Sequence, residues 1–195
     1  MLLAIVLSLL TSNGHAFTCG AERWVTPPAL RQGKFMGTLE ASCALKKTDG
    51  DIRQLETHFR NKLLAQVITR HEGPVADHTL GLPGVLFDVT VRHEGGTLRN
   101  LVKLATDGRD ALAYDARSTQ VSLPGMAGYL RKLDVVFKVT RLDEDSFTVT
   151  LTNTTHVSKP TLAPGGVFLG IAKDKARDEF LVQLPKLAQE IEQSL

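Results

Sequence analysis

Five residues able to ligate a metal crowd one stretch of the chain: His71, Glu72, Asp77, His78 and His93. Imidazole with carboxylate is the donor set that suits zinc. Their spacing is neither the His-Glu-x-x-His of a helical site nor an obvious strand pair, so histidines satisfied at strand ends are the simpler reading and no metal site is expected. Nucleophilic hydrolysis needs a serine or cysteine activated by a base, and the chain has no Gly-x-Ser-x-Gly elbow. Phosphate-loop and dinucleotide glycine patterns are missing as well. No cofactor is implied. What remains is a set of polar residues falling on otherwise apolar strand registers: Asn100, Tyr114, Arg131, Tyr129 and Asn153. A buried polar group needs a partner, in the protein or on a ligand. Asn153 and Tyr129 read more simply as strand-end residues reaching solvent, whereas Asn100 and Tyr114 are more central. Asn153-Thr154-Thr155 is also a glycosylation sequon.

The two cysteines, Cys19 and Cys43, are the only ones in the chain. Their use depends on compartment. The chain opens with the apolar run Leu2 to Leu10, about nine residues, where a bilayer span needs about twenty. Gly14 and Ala16 fit the small positions of a signal-peptidase site, so residues 1–16 read as a signal peptide cleaved after Ala16, with an uncleaved anchor as the alternative. No Lys or Arg precedes the apolar run. Export to a periplasmic or secreted location favours pairing Cys19 with Cys43. Two unrelated thiols are the alternative.

Removal of the leader leaves about 179 residues, enough for one domain with a sizeable core. The net charge is +2, with acidic and basic residues interleaved. A nucleic-acid surface would show a clustered basic face, so none is expected.

Residues 17–33, with Pro27-Pro28, read as an irregular N-terminal arm pinned by the disulfide. Residues 34–195 read as one domain. From Lys34 to Leu45 apolar Phe35, Leu39, Ala41, Cys43 and Leu45 alternate with polar residues, which predicts a half-buried strand. Asp51 can cap a helix whose inner stripe is Ile52, Leu55, Phe59 and Leu63. A strand is expected at 67–71, another at Val85-Phe87-Val89-Val91, and two hairpins turn at 106–110 and 143–145. Short turns between successive strands exclude a parallel βαβ layout. A Gly/Pro break at 160–166 then introduces a long helix with the stripe Leu169, Ala172, Ala176, Phe180, Leu184, Leu187, Ile191 and Leu195, in which Pro185 should impose a kink or a restart.

This order of strand, helix, antiparallel strands and long C-terminal helix resembles the helix-grip fold of the START-like (SRPBCC) superfamily, nearest its coenzyme-Q-binding and polyketide-cyclase-like branch. The resemblance covers residues 34–195 and rests on layout and on the closing helix. It implies an α+β fold, a curved antiparallel sheet wrapped around a long C-terminal helix, with an apolar ligand held between them. A cavity is then expected beneath Ala172 and Ala176, lined by Phe87, Asn100, Val102, Tyr114, Arg131 and Phe137. Close packing of the alanines against Phe137 is the alternative. The first functional expectation is an exported monomeric carrier of a lipid-like or other apolar small molecule, with transient membrane contact. A cyclase- or hydratase-type enzyme of the same fold, and a noncatalytic envelope interaction domain with a filled core, are its rivals.

Overall fold

The computed structural model describes residues 17–47, 49–76, 82–93, 96–124 and 129–195, with backbone only for 67–76 and 93. The potential ligands His71, Glu72, Asp77, His78 and His93 therefore lie outside the described side chains, as do residues 1–16. In chain order the elements are β1 (Phe17–Cys19), β2 (Arg23–Arg31), β3 (Lys34–Lys46), α1 (Ile52–Leu64), β4 (Val67–Ala76), β5 (Pro83–His93), β6 (Gly96–Thr106), β7 (Ala111–Ser122), β8 (Leu130–Asp143), β9 (Ser146–Ser158) and α2 (Gly165–Ser194). Among the described residues the strands form one antiparallel sheet in the order β1-β3-β9-β8-β7-β6-β5-β4, with β2 paired to β3 along the same edge as β1.

The expected irregular arm at 17–33 is corrected: it consists of β1 and β2. Proline cannot donate to a ladder, so it is tolerated only where one side of a strand is unpaired or bulged. β2 pairs with β3 alone, and its register shifts between Thr26 and Ala29, where Pro27 and Pro28 fall. The pinning expectation holds, because Cys19 lies directly opposite Cys43 and the two are bridged. Gln32 and Gly33, both at positive φ, turn β2 back into β3, the backbone that a two-residue hairpin requires.

Strand alternation sorts the residues as expected. Phe35, Leu39, Ala41, Cys43 and Leu45 of β3 are buried on the inner face, with Phe87 and Val89 of β5, Val102 and Leu104 of β6, Phe137 and Val139 of β8 and Phe147, Val149 and Leu151 of β9. Each large apolar side chain so buried contributes about 1.5–3 kcal/mol. The outer face is polar: Arg99 grips Asp88, Arg117 holds Asp115 and Lys132 holds Asp134. On β3 and β9 hydroxyls pair across strands, Ser42 with Thr150 at 2.8 Å and Thr38 with Thr154 at 3.1 Å.

Asp51 caps α1 by accepting from the Arg53 N–H at 2.9 Å, and Ile52, Leu55, Phe59 and Leu63 are all buried. The long helix α2 packs against β1, β2, β3, β9 and α1. It is assigned as one element through Pro185 to Ser194, so the expected restart does not occur. Pro185 lies on the exposed face, where the lost backbone bond can be replaced by water. The Asp51 N–H donates to the Leu195 carbonyl at 3.1 Å, tying the end of α2 to the start of α1. Among the described residues no helix is long and apolar enough to cross a membrane.

Candidate functional site

The pairing registers lay the inner face out in rows. One row runs Leu39, Asn153, Val135, Ala116, Val102, Phe87 from β3 to β5. The next, toward the end closed by α1, runs Ala41, Leu151, Phe137, Tyr114, Leu104, Val85. On the opposite side Gly37, Thr155 and Leu133 align, and Asn100 pairs with Val89 next to the register shift at Arg99 of β6. That row is the more polar one and leads toward the rim.

Tyr114 sits on a central strand between fully buried Leu104 and Phe137. Its ring stacks on Phe137 at 4.8 Å between centroids, and Phe59 of α1 tilts over both, 4.8 Å from Phe137 and 5.9 Å from Tyr114. Burial, assisted by the negative charge of Glu190, pushes the Tyr114 phenol up to about 12. Yet Tyr114 is only half-buried by surface, as is Val135 diagonally across from it.

The helix wall of the inner face is α2, which packs against β3 and β9. Phe180, Leu184, Ala188, Ile191 and Leu195 form a fully buried stripe. Beside it Ala172, Ala176, Glu179, Gln183, Leu187 and Glu190, again at steps of three and four, are all half-buried. The single stripe read from sequence is thus two. Ala172, Ala176 and Leu187 belong to the half-buried one, while Ala188 completes the buried one. On the far side of the helix Leu181 and Val182 are exposed.

Two polar groups tie this wall to the rest. Glu190, which is largely buried, accepts from Lys62 at 2.5 Å and lies 2.8 Å from His58 Nε2, joining α2 to α1. Asn153 is 7% exposed, and its amide N–H donates to Gln183 Oε1 at 2.8 Å. Asn153 was expected at a strand end reaching solvent; it is instead interior within β9, because Gln183 of α2 covers it. Its burial also withdraws the sequon from any folded-state modification. With Gln183 over the Asn153 row, a rise of about 1.5 Å per residue sets Ala176 about 10 Å further toward the rim.

Of the other expected site residues, Phe87, Val102 and Phe137 are fully buried core, Asn100 is half-buried toward the rim, and Arg131 is exposed, donating to Ser158 Oγ at 2.8 Å. Arg131 is therefore not brought to the interior. The register shift after Leu130 turns it outward at the end of β8. Tyr129 is exposed, as the strand-end reading had it. Gln183 was not singled out in the sequence, while Val135 and Leu187 were read as inward-facing but not as site residues. The signal available was the second three-four periodicity on α2, with Gln183 exactly seven residues after Ala176. Among the described residues no three His, Cys, Asp or Glu side chains converge as a metal site.

No protein-family model matches the chain, and no curated protein matches it in sequence. Solved structures do. The Zhui aromatase/cyclase from Streptomyces sp. R1128 aligns at 12% identity and TM-score 0.44, covering 80% of this chain and 94% of that one. A START superfamily protein from Mycobacterium smegmatis aligns at 14% identity and TM-score 0.38, covering 79% and 97%. Human STARD10 aligns at 12% identity and TM-score 0.36, covering 89% and 72%. At such identities the likeness concerns fold alone. An antiparallel sheet closed by one long C-terminal helix is the helix-grip layout that the order of elements predicted.

Proposed function

We propose that the protein is an exported carrier that holds a lipid-like or other apolar small molecule between the sheet and α2. One observation carries the reading: Tyr114 and Val135 on the inner face of the sheet, and the Ala172-Ala176-Leu187 stripe on the helix, are apolar or aromatic side chains that are only partly buried. Apolar walls with a few fixed polar groups are the usual composition of a small-molecule site. Affinity comes from apolar burial, and Asn100, Tyr114 and Asn153 orient the ligand. The resemblance drawn from the order of elements implies an apolar ligand in this place. The disulfide and the apolar leader support export. The test is solvent extraction of the purified protein followed by mass spectrometry, together with titration of a solvatochromic apolar dye. Co-purification of an apolar molecule that competes with the dye is expected. Protein that carries nothing and leaves the dye unbound sinks the proposal.

A further inference from the structure

The stretch that joins β9 to α2 presents an apolar surface to solvent. Residues 160–172 include no charged side chain. Leu162 in the loop is 96% exposed, and Val167 and Ile171 on the first turns of α2 are 59% and 62% exposed. Beside them Gly166 and Gly170 have open space where a Cβ would stand. Exposed apolar residues scattered singly need no explanation, whereas grouped ones mark an interaction site. The loop is held in shape by its own lysine. The Lys159 ammonium donates to the carbonyls of Pro160 at 3.0 Å, Thr161 at 3.4 Å and Ala163 at 2.7 Å. The Ala163 N–H donates to the Pro160 carbonyl at 3.1 Å. Backbone groups satisfied in this way cost less to bring into an apolar medium.

The charge around this surface has one sign. The Lys159 N–H donates to the Gly33 carbonyl at 2.7 Å, Leu30 lies against Gly165, and Arg131 donates to Ser158. The β2–β3 turn, the start of β8 and the start of α2 therefore share one end of the molecule. Segments 29–36, 129–133 and 156–173 bring Arg31, Lys34, Arg131, Lys132, Lys159 and Lys173 to that end and no acidic residue. Lys132 is paired with Asp134. The His156 imidazole, opposite Lys132 on the sheet, is held below its usual range by burial first, then by the positive charges of Lys132 and Lys34 against the opposing Asp134. We propose that this end docks on an anionic lipid surface, with Leu162, Val167 and Ile171 entering the headgroup region and the basic residues facing lipid phosphates. A second copy seated by the same end would set like charge against like charge. The proposal goes beyond the carrier reading and stands without it.

The test is co-sedimentation of the whole purified protein with vesicles of phosphatidylcholine, alone or mixed with phosphatidylglycerol. Each basic residue near an anionic surface is worth about fivefold in partitioning, so Arg31→Gln with Lys34→Gln should weaken binding to the mixed vesicles about 25-fold. Leu162→Asp, at a solvated position, should leave the thermal melt unchanged and weaken that binding at least about tenfold. Ile171→Asp serves as the second apolar variant. Leu181→Asp, on the same helix beyond this surface, should bind as wild type. Protein that ignores the mixed vesicles overturns the proposal. So does binding that Leu162→Asp and Ile171→Asp leave intact, which means adsorption by charge alone, or a loss equally large in Leu181→Asp. A dimer that Leu162→Asp dissociates, without vesicle binding, assigns the surface to a second copy and overturns it too.

Discussion

Replacing Ala176 by tryptophan separates an opening from a filled core. Ala176 lies on the half-buried stripe of α2, seven residues before Gln183 and toward the rim. If the helix packed tightly there, forcing in an indole would overpack the site and cost about 1–3 kcal/mol. For a chain of this length each kcal/mol lowers Tm by about 2–4 °C, so a filled interior predicts a loss of up to about 12 °C. If room exists, the stability cost reduces to helix propensity, about 0.5 kcal/mol between alanine and tryptophan, or about 2 °C. The indole then occupies ligand space. The assay pairs a thermal melt of ligand-free protein with dye titration. The account predicts a Tm within about 2 °C of wild type and at least a tenfold loss of dye affinity. A drop of more than about 5 °C with unchanged affinity in the folded fraction would refute the reasoning.

Other outcomes follow from single residues. Converting both Cys19 and Cys43 to alanine releases a cross-link spanning 24 residues, and the chain-entropy model gives a loss of about 3 kcal/mol in denaturant unfolding; an unchanged midpoint would show that the bridge does not constrain the chain. Tyr114, with its phenol pushed up to about 12 by burial and by Glu190, is neutral in the folded state and ionises more readily once unfolded. The raised pKa therefore contributes stability that is whole below about pH 10, the unfolded value, and is lost as pH rises to about 12. Tyr114→Phe should remove that part of the alkaline loss, at most about 2–3 kcal/mol; parallel stability curves for the two proteins above pH 10 would contradict the burial of the phenol.

How far the fold shows through the residues follows from which of them had one physical role. Strands β3, β5, β8 and β9 have one face in the core, so period-two alternation placed Phe35, Phe87, Phe137 and Phe147 correctly. The Asp51 cap and the Ile52-Leu55-Phe59-Leu63 stripe were equally direct. β1 and β2 were hidden because a strand paired on one side tolerates Pro27 and Pro28, which otherwise signal an irregular segment. Pro185 misled for a related reason, as its missing donor faces water. The site was less legible than the fold. A helix face shared between core and opening carries two overlapping stripes, and Ala172 and Ala176 look alike whether they pack or line a wall. Asn153 has the appearance of a residue reaching solvent because nothing in its strand shows that α2 covers it, and a register shift next to Leu130, invisible in composition, turns Arg131 outward.

The claim that an apolar molecule sits between the sheet and α2 is tested most directly by locating one there. Carbon-labelled dodecanol bound to the protein, with its contacts mapped by isotope-filtered nuclear Overhauser spectroscopy, reports which side chains touch the alkyl chain. The account predicts contacts to Tyr114, Val135 and Leu187. Contacts confined to exposed Leu162, Val167 and Ile171, with none to those three, would place the ligand on the surface and contradict it.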